Sequence, residues 1–380
     1  MKIGLLTLPL HNNYGGILQC YALYTILKRM GHEVVVLRRE RPPYKKGVKD
    51  YMMDVAKCMT HVFLGRKHTY FPTKDELRYM HLHLTRFIDK YIQSYSMPAY
   101  STDELRGQCV INRYEAFVVG SDQVWRPRYT AAIGNYYLDF VEDIHDIKRI
   151  AYAASFGTDD WEYTAEETET CARLIRKFQH VSVRENSAVE ICQTKFHMKA
   201  ELALDPTMLL ERADYEALVL LENEEKRQGN LFCYVLDRTQ EKDMLIDKLS
   251  SELSMFPFFA MPTKSCHVKE NMREYIEECI YPPVTQWIRS FIDAEMIITD
   301  SFHGCVFSII FNKPFWVIGN EKRGMARFDS LLQIFGLQDR LIFPNTSPDW
   351  RKSINWGCVN DIHRKMKSQS INFLRKSLEA

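Results

Sequence analysis

An excess of either charge, paired cysteines and long apolar runs are all missing from this chain. Its 380 residues hold 50 Lys+Arg against 49 Asp+Glu, a formal net charge of +1. A globally basic surface that would steer nucleic acid is thereby excluded, and no nucleic-acid partner is expected. The ten cysteines are scattered and no two stand three apart, so no Cys-x-x-Cys zinc or redox pair exists. Several fall in apolar runs, such as Cys233 in Leu-Phe-Cys-Tyr-Val and Cys305 ahead of Val-Phe-Ser-Ile-Ile-Phe. Buried free thiols in a reducing cytoplasm fit that placement. No metal cluster is visible, so no metal and no cofactor are expected. No apolar run approaches the ~18 residues that span a bilayer. Met1 to Leu10 is apolar but short and lacks a small-residue cleavage site, so it reads as a strand and not as a signal peptide. Sixteen glycines and fourteen prolines are too few for a fibrous or low-complexity chain.

What is present is ordinary globular material: 46% hydrophobic and 26% charged residues, enough for one or two sizeable cores. The length gives a prior of about 2.5 domains at roughly 150 residues each. Ile3 to Leu8 reads as a buried strand, and His11 to Gly16 as a loop of turn formers. Ile17, Cys20, Tyr21, Tyr24 and Leu27 fall at helical spacing, Gly31 ends that helix, and Glu33 to Leu37 is the next strand. A strand–loop–helix–strand unit argues for a parallel sheet with right-handed crossovers. Six basic residues crowd 38–49, followed by a helical pattern, so about 40–110 reads as a helical insertion near the cleft. The basic run suits a solvated loop, and it leaves peripheral association with a membrane's inner face open.

Alternation then resumes. Strands are expected at 115–119, 149–154, 179–183 and 201–204, with Asn186 or Ser187 capping a short helix between the last two. Asp205-Pro206-Thr207 reads as an inter-domain hinge. Further strands fall near 231–236, 255–259, 295–299 and 314–318. Helices fall near 239–252, 284–292, 302–312, 325–335 and 360–378, the last crossing back onto the first domain. The expected class is α/β, with two Rossmann-like domains, 1–206 and 207–380, whose parallel sheets face a cleft.

In open α/β sheets, ligands bind beyond the carboxyl ends of the strands, and four such segments carry chemistry. Asn12-Asn13-Tyr14-Gly15-Gly16 offers two glycines and a helix start to an anion or sugar hydroxyl, or is a plain turn. It is not G-x-G-x-x-G, so a dinucleotide fingerprint is absent. Gly120-Ser121-Asp122-Gln123-Val124-Trp125 gathers a carboxylate, an amide and an indole that could pack on a sugar ring; the alternative is a helix cap with a core Trp. Arg184, after Val181-Ser182-Val183, suits a carboxylate or phosphate bidentately, or pairs internally with Glu185 or Asp205. Thr299-Asp300-Ser301-Phe302-His303-Gly304 turns a buried strand into an apolar helix. Its bare N–H groups, dipole and glycine make a phosphate cradle in which His303 contacts the anion or passes a proton, unless it is a structural histidine. Arg323 and Arg327 follow closely and could complete an anion site.

In this order the segments 13–19, 120–125, 152–157, 183–185 and 299–304 resemble the polysaccharide pyruvyl transferase family, from Lys2 to about Gly336 and most weakly in 40–110. The resemblance implies a fold like that of GT-B glycosyltransferases. It also implies transfer of pyruvate from phosphoenolpyruvate onto two hydroxyls of a sugar, in a cell-surface polysaccharide or its precursor, as a ketal with release of phosphate. Lipid-linked oligosaccharide is among the acceptors this allows. By position, His303 and Gly304 look like the family's His-Gly pair at the donor site, and Arg184 like its anion-binding arginine. Asp122 is the candidate base on the acceptor hydroxyl; Asn13, Gly15, Gly16 and Gln123 are candidate acceptor contacts. Ser301 stands where many members carry arginine, so either Arg323 or Arg327 replaces that charge or the donor differs. The first loop reads Asn-Tyr-Gly-Gly where many members read Asn-x-Gly-Asp. Alternatives are a GT-B-type glycosyltransferase using a nucleotide sugar, or a non-catalytic sugar- or anion-binding protein.

Overall fold

The computed structural model describes residues 1–42, 72–264, 274–319, 324–344, 346 and 348–379. The apolar runs that read as strands form two parallel sheets. In the first, β1 (Lys2–Leu6), β2 (Glu33–Leu37), β3 (Ala116–Val119), β4 (Lys148–Ala154), β5 (His180–Val183) and β6 (Glu201–Leu202) lie in the order β2-β1-β3-β4-β5-β6. In the second, β7 (Leu231–Tyr234), β8 (Pro257–Phe258), β9 (Met296–Thr299), β10 (Phe315–Ile318) and β11 (Leu341–Ile342) lie in the order β11-β10-β9-β7-β8. The central strands are buried throughout, as sheets covered on both faces require. The strand order reverses between β1 and β3 and again between β7 and β9.

Several helices begin where the sequence supplies caps. α1 (Tyr14–Arg29) ends on Lys28 and Arg29, cations that suit its negative terminus. In the region read as an insertion, α2 (Lys74–Met80), α3 (Leu82–Tyr91) and α4 (Thr102–Asn112) are helical, and 43–71 lies outside the described residues. α5 (Ala165–Ile175) opens on a Thr164–Glu167 capping box. α6 (Asn186–Phe196) corrects an expectation. Asn186 is its first residue and Glu185 its N-cap, while the Asn186 N–H is satisfied by Ser330 Oγ at 3.0 Å. α7 (Arg212–Leu221), α8 (Gln240–Leu253), α9 (Val284–Asp293), α10 (Phe302–Ile310), α11 (Ala326–Phe335) and α12 (Trp356–Glu379) complete the second half.

The halves are not separate bodies joined by a free hinge. One apolar core runs from Ile3 and Leu5 through α1 to Phe232 and Trp287. Tyr14 stacks on Trp287 with ring centroids 5.5 Å apart and donates to Pro282 O at 2.8 Å. The 205–207 turn, read as a hinge, is wholly buried and locked, with the Asp205 carboxylate accepting from Thr207 N and Oγ1. α12 returns to the first sheet: Ser370 Oγ accepts from Leu204 N at 3.0 Å, and Leu378 O from Lys148 Nζ at 2.6 Å. Leu374 is fully buried in that contact. Leu374→Ala is expected to cost about 2–5 kcal/mol in urea unfolding. A change of a few tenths would show that α12 does not dock.

Candidate active site

A cavity of about 420 Å³ opens where the carboxyl ends of the two sheets converge. Asn12 and Asn13 after β1, and Asp122 and Gln123 after β3, line it from the first sheet. Asp300, Ser301 and His303 after β9, and Arg327 on α11, line it from the second. Both sets leave strands that flank a reversal of strand order, where open α/β sheets place ligands.

The end of β9 is fastened before it delivers His303. The buried Asp300 carboxylate accepts from the backbone N–H of Leu236 and Asp237 at 2.7 and 3.1 Å, and from Lys242 Nζ at 2.6 Å. Thr299 Oγ1 donates to Tyr234 O at 2.7 Å and accepts from Ser301 N at 3.1 Å. α10 then starts with Ser301 as N-cap and His303 in its first turn. The imidazole packs against the first turn of α1: a Cβ on Gly15 would lie 2.0 Å from His303 Nδ1. Glycine at 15 is what lets the two helix starts meet.

Behind the imidazole lies a buried relay of charge. His303 Nε2 stands 3.5 Å from Asp205 Oδ2, close enough to feel the charge but long for a hydrogen bond. Asp205 Oδ2 accepts from Arg184 Nη1 at 2.6 Å, and Arg184 Nη2 reaches Asp122 Oδ1 at 3.3 Å. The Arg184 guanidinium lies over the Phe302 ring, 4.3 Å from its centroid. Burial pushes the Asp205 carboxyl up, but His303 and Arg184 outweigh it and hold it well below the usual carboxylate range. Burial also raises Glu185, against the pull of Arg184. Arg327 lies over the Phe302 ring as well, at 5.7 Å. Burial, then repulsion from Arg184, push its guanidinium down to about 10. An anion in the cavity would relieve that penalty.

The cavity collects His303, Asp122, Ser301, Arg327, Asn13 and Gln123 from the sequence candidates. Arg184 is a correction: its side chain is 2% exposed, does not line the cavity, and is spent on Asp205 and Asp122. Gly304 and Gly15 serve packing, since a Cβ on Gly304 would lie 2.1 Å from Thr299 Oγ1. Gly16 turns its carbonyl to Gln19 Nε2 at 3.0 Å. Trp125 is fully buried and stacked on Tyr137, so it is a core residue and no platform for a sugar. Arg323 lies outside the described residues. Asp205 was missed as a site residue; the pairing choice open to Arg184 was the one signal for it. Among the described residues no group of three or more His, Cys, Asp or Glu could hold a metal ion, and no helix is long and apolar enough to cross a membrane.

The family of polysaccharide pyruvyl transferases matches residues 13–322. The chain belongs to that family. Family membership makes it a transferase of polysaccharide biosynthesis. No curated protein sequence matches the chain. The fold is similar to that of the UDP-GlcNAc 2-epimerase from Neisseria meningitidis bound to UDP-GlcNAc: 10% identity, 100% of this chain and 99% of that one, TM-score 0.50. It is similar to S. aureus MnaA with UDP: 12% identity, 98% and 90% covered, TM-score 0.50. Acinetobacter baumannii MurG superimposes with TM-score 0.44 at 9% identity over 99% of both chains. What the chain shares with the epimerase is the architecture of two parallel α/β sheets covered by helices.

For this pyruvyl transferase family member the geometry gives two stability tests. Gly15→Ala must displace His303 or α1, and is expected to cost about 1–3 kcal/mol in chemical unfolding. No loss would mean that the helix starts are not in contact. Asp205→Asn removes one partner of a buried ion pair and is expected to cost about 3–5 kcal/mol at neutral pH. Because the folded carboxyl titrates below its unfolded value of about 3.9, its stabilisation is complete above that pH and is lost as pH falls from there through the lower folded value. The gap between wild type and Asp205→Asn should therefore shrink below about pH 4, and a constant gap would contradict the assignment.

Proposed function

We propose that the chain transfers pyruvate from phosphoenolpyruvate onto two hydroxyls of a sugar, closing a ketal and releasing phosphate. The observation that carries this reading is the placing of His303 and Arg327 together at the cavity, beside the start of α10, in a chain of this family. Phosphoenolpyruvate brings a phosphate and a carboxylate on one small frame. The N–H groups of Phe302, His303 and Gly304 have no acceptor one turn back within α10, and the helix dipole favours an anion there. Arg327 supplies the fixed positive charge that Ser301 does not. Arg184 holds Asp122 and Asp205 in place from behind.

In the proposed reaction the methylene carbon takes a proton and C2 becomes oxocarbenium-like. A sugar hydroxyl attacks C2, the C2–O bond to phosphate breaks, and the second hydroxyl closes the ring. Both hydroxyl protons are accounted for: one ends on the new methyl group, the other on phosphate. His303 carries the proton that phosphate takes, and Asp205 behind it stabilises the charged imidazole. Asp122 at the cavity wall accepts from the acceptor hydroxyl, while its contact with Arg184 holds it oriented.

Phosphate release from phosphoenolpyruvate, followed over a panel of glycosides with free hydroxyl pairs, is expected to fall at least about 10²-fold in His303→Ala. A rate near wild type would remove His303 from the chemistry. Phosphoenolpyruvate at 100 times its dissociation constant should stabilise the fold by about 2.7 kcal/mol. Stabilisation by nucleotide sugars and none by phosphoenolpyruvate would favour a glycosyltransferase instead.

A further inference from the structure

Tyr129 lines the cavity and keeps 38% of its surface exposed, yet nothing in the reaction above calls on it. It stands on the stretch after β3 that also carries Asp122 and Gln123. Arg126, between them, is buried, and each nitrogen of its guanidinium is engaged. Nε and Nη2 donate to the two Glu162 oxygens at 3.0 and 2.8 Å, and Nη1 donates to Gln123 Oε1 at 3.1 Å. The same guanidinium lies over the Tyr129 ring, 5.0 Å from its centroid. Arg128 lies over that ring too, at 5.8 Å, and reaches Glu162 Oε1 at 3.8 Å.

Gln123 is fixed from a second side. A Cβ on Gly157 would lie 1.9 Å from Gln123 Oε1, and Gly157 has a φ of +75°, so the contact needs glycine twice over. Gly157 is itself pinned. The buried Glu185 carboxylate accepts from Ser155 Oγ, Phe156 N and Gly157 N at 2.9, 2.9 and 3.3 Å. The amide oxygen of Gln123 is thus taken. Its Nε2 group has no acceptor among the described residues and is the end left for the cavity.

We propose that Tyr129 and Gln123 form a subsite for a closed pyranose ring, with Arg126 as the positioning residue that aims both. A pyranose shows a face of C–H bonds that packs on an aromatic ring, and oxygens that accept from an amide N–H. An open-chain polyol carries the same hydroxyls but has no rigid face. A sugar held there presents its hydroxyls beside Asp122, the residue before Gln123. Its identification as the acceptor rests on the function proposed above; the subsite itself does not depend on the donor.

The test is saturation-transfer NMR of the full chain, without phosphoenolpyruvate. The probes are the methyl pyranosides of glucose, galactose and mannose, and the alditols glucitol, galactitol and mannitol. At least one glycoside is expected to bind with the strongest transfer to its ring C–H protons, and its alditol about tenfold more weakly. Tyr129→Ala is expected to weaken that glycoside about tenfold, and Tyr129→Phe to restore most of the loss. Arg126→Lys keeps a cation but not the three-way pattern of bonds. It is expected to weaken the glycoside about fivefold and to leave phosphoenolpyruvate affinity unchanged, whereas a general loss of structure would weaken both. Unchanged glycoside affinity in Arg126→Lys would remove its positioning role. No glycoside bound, glycoside and alditol bound alike, or wild-type affinity in Tyr129→Ala would overturn the subsite. Glycoside binding lost in Tyr129→Ala, in a chain that releases no phosphate from phosphoenolpyruvate, would uphold the subsite and defeat the pyruvyl transfer reading.

Discussion

A single buried carboxylate, Asp205, holds the two halves of this protein to one geometry. It takes Arg184 from the first sheet and faces His303 from the second, and its other oxygen pins the turn that joins them. An unpaired charge there would be costly, so each partner is required by the others. The relay explains why an arginine at a strand end does not line the cavity. Its charge is consumed in placing Asp122 and in supporting the imidazole. Arg327, a helix further along, lines the cavity, and its guanidinium lies over the same Phe302 ring as that of Arg184.

Much of the fold was legible from periodicity. Apolar runs of four to seven residues between turn formers gave the central strands within a residue or two, because strands buried on both faces leave an unbroken signal. The edges were harder. β6 and β8 are two residues each, shorter than the runs read for them, and β11 was not read at all. At a sheet's edge one neighbour is missing, and local pattern alone does not say where pairing stops. α5 was also unread, although Thr164 and Glu167 form a capping box three residues apart.

The site was legible by position and less so by role. Strand ends named the right segments, since a parallel sheet directs them all to one face. Which side chains look outward depends on contacts more than a hundred residues apart. Gly15 is small because of His303, a contact between the two ends of the chain, so spacing alone could not tell it from a ligand cradle; Gly304 is small because of Thr299 in the turn just before it. Asp205 read as part of a hinge because Asp-Pro marks a chain turn, and burial makes that turn a fixed post.

The central claim is that the start of α10 and Arg327 together receive the donor's phosphate. A crystal structure with bound phosphoenolpyruvate tests it most directly. The account predicts the phosphate within hydrogen-bond reach of the first α10 amides and of the Arg327 guanidinium, with the imidazole of His303 beside it. Phosphoenolpyruvate seated away from those groups, with the cavity vacant, would contradict it.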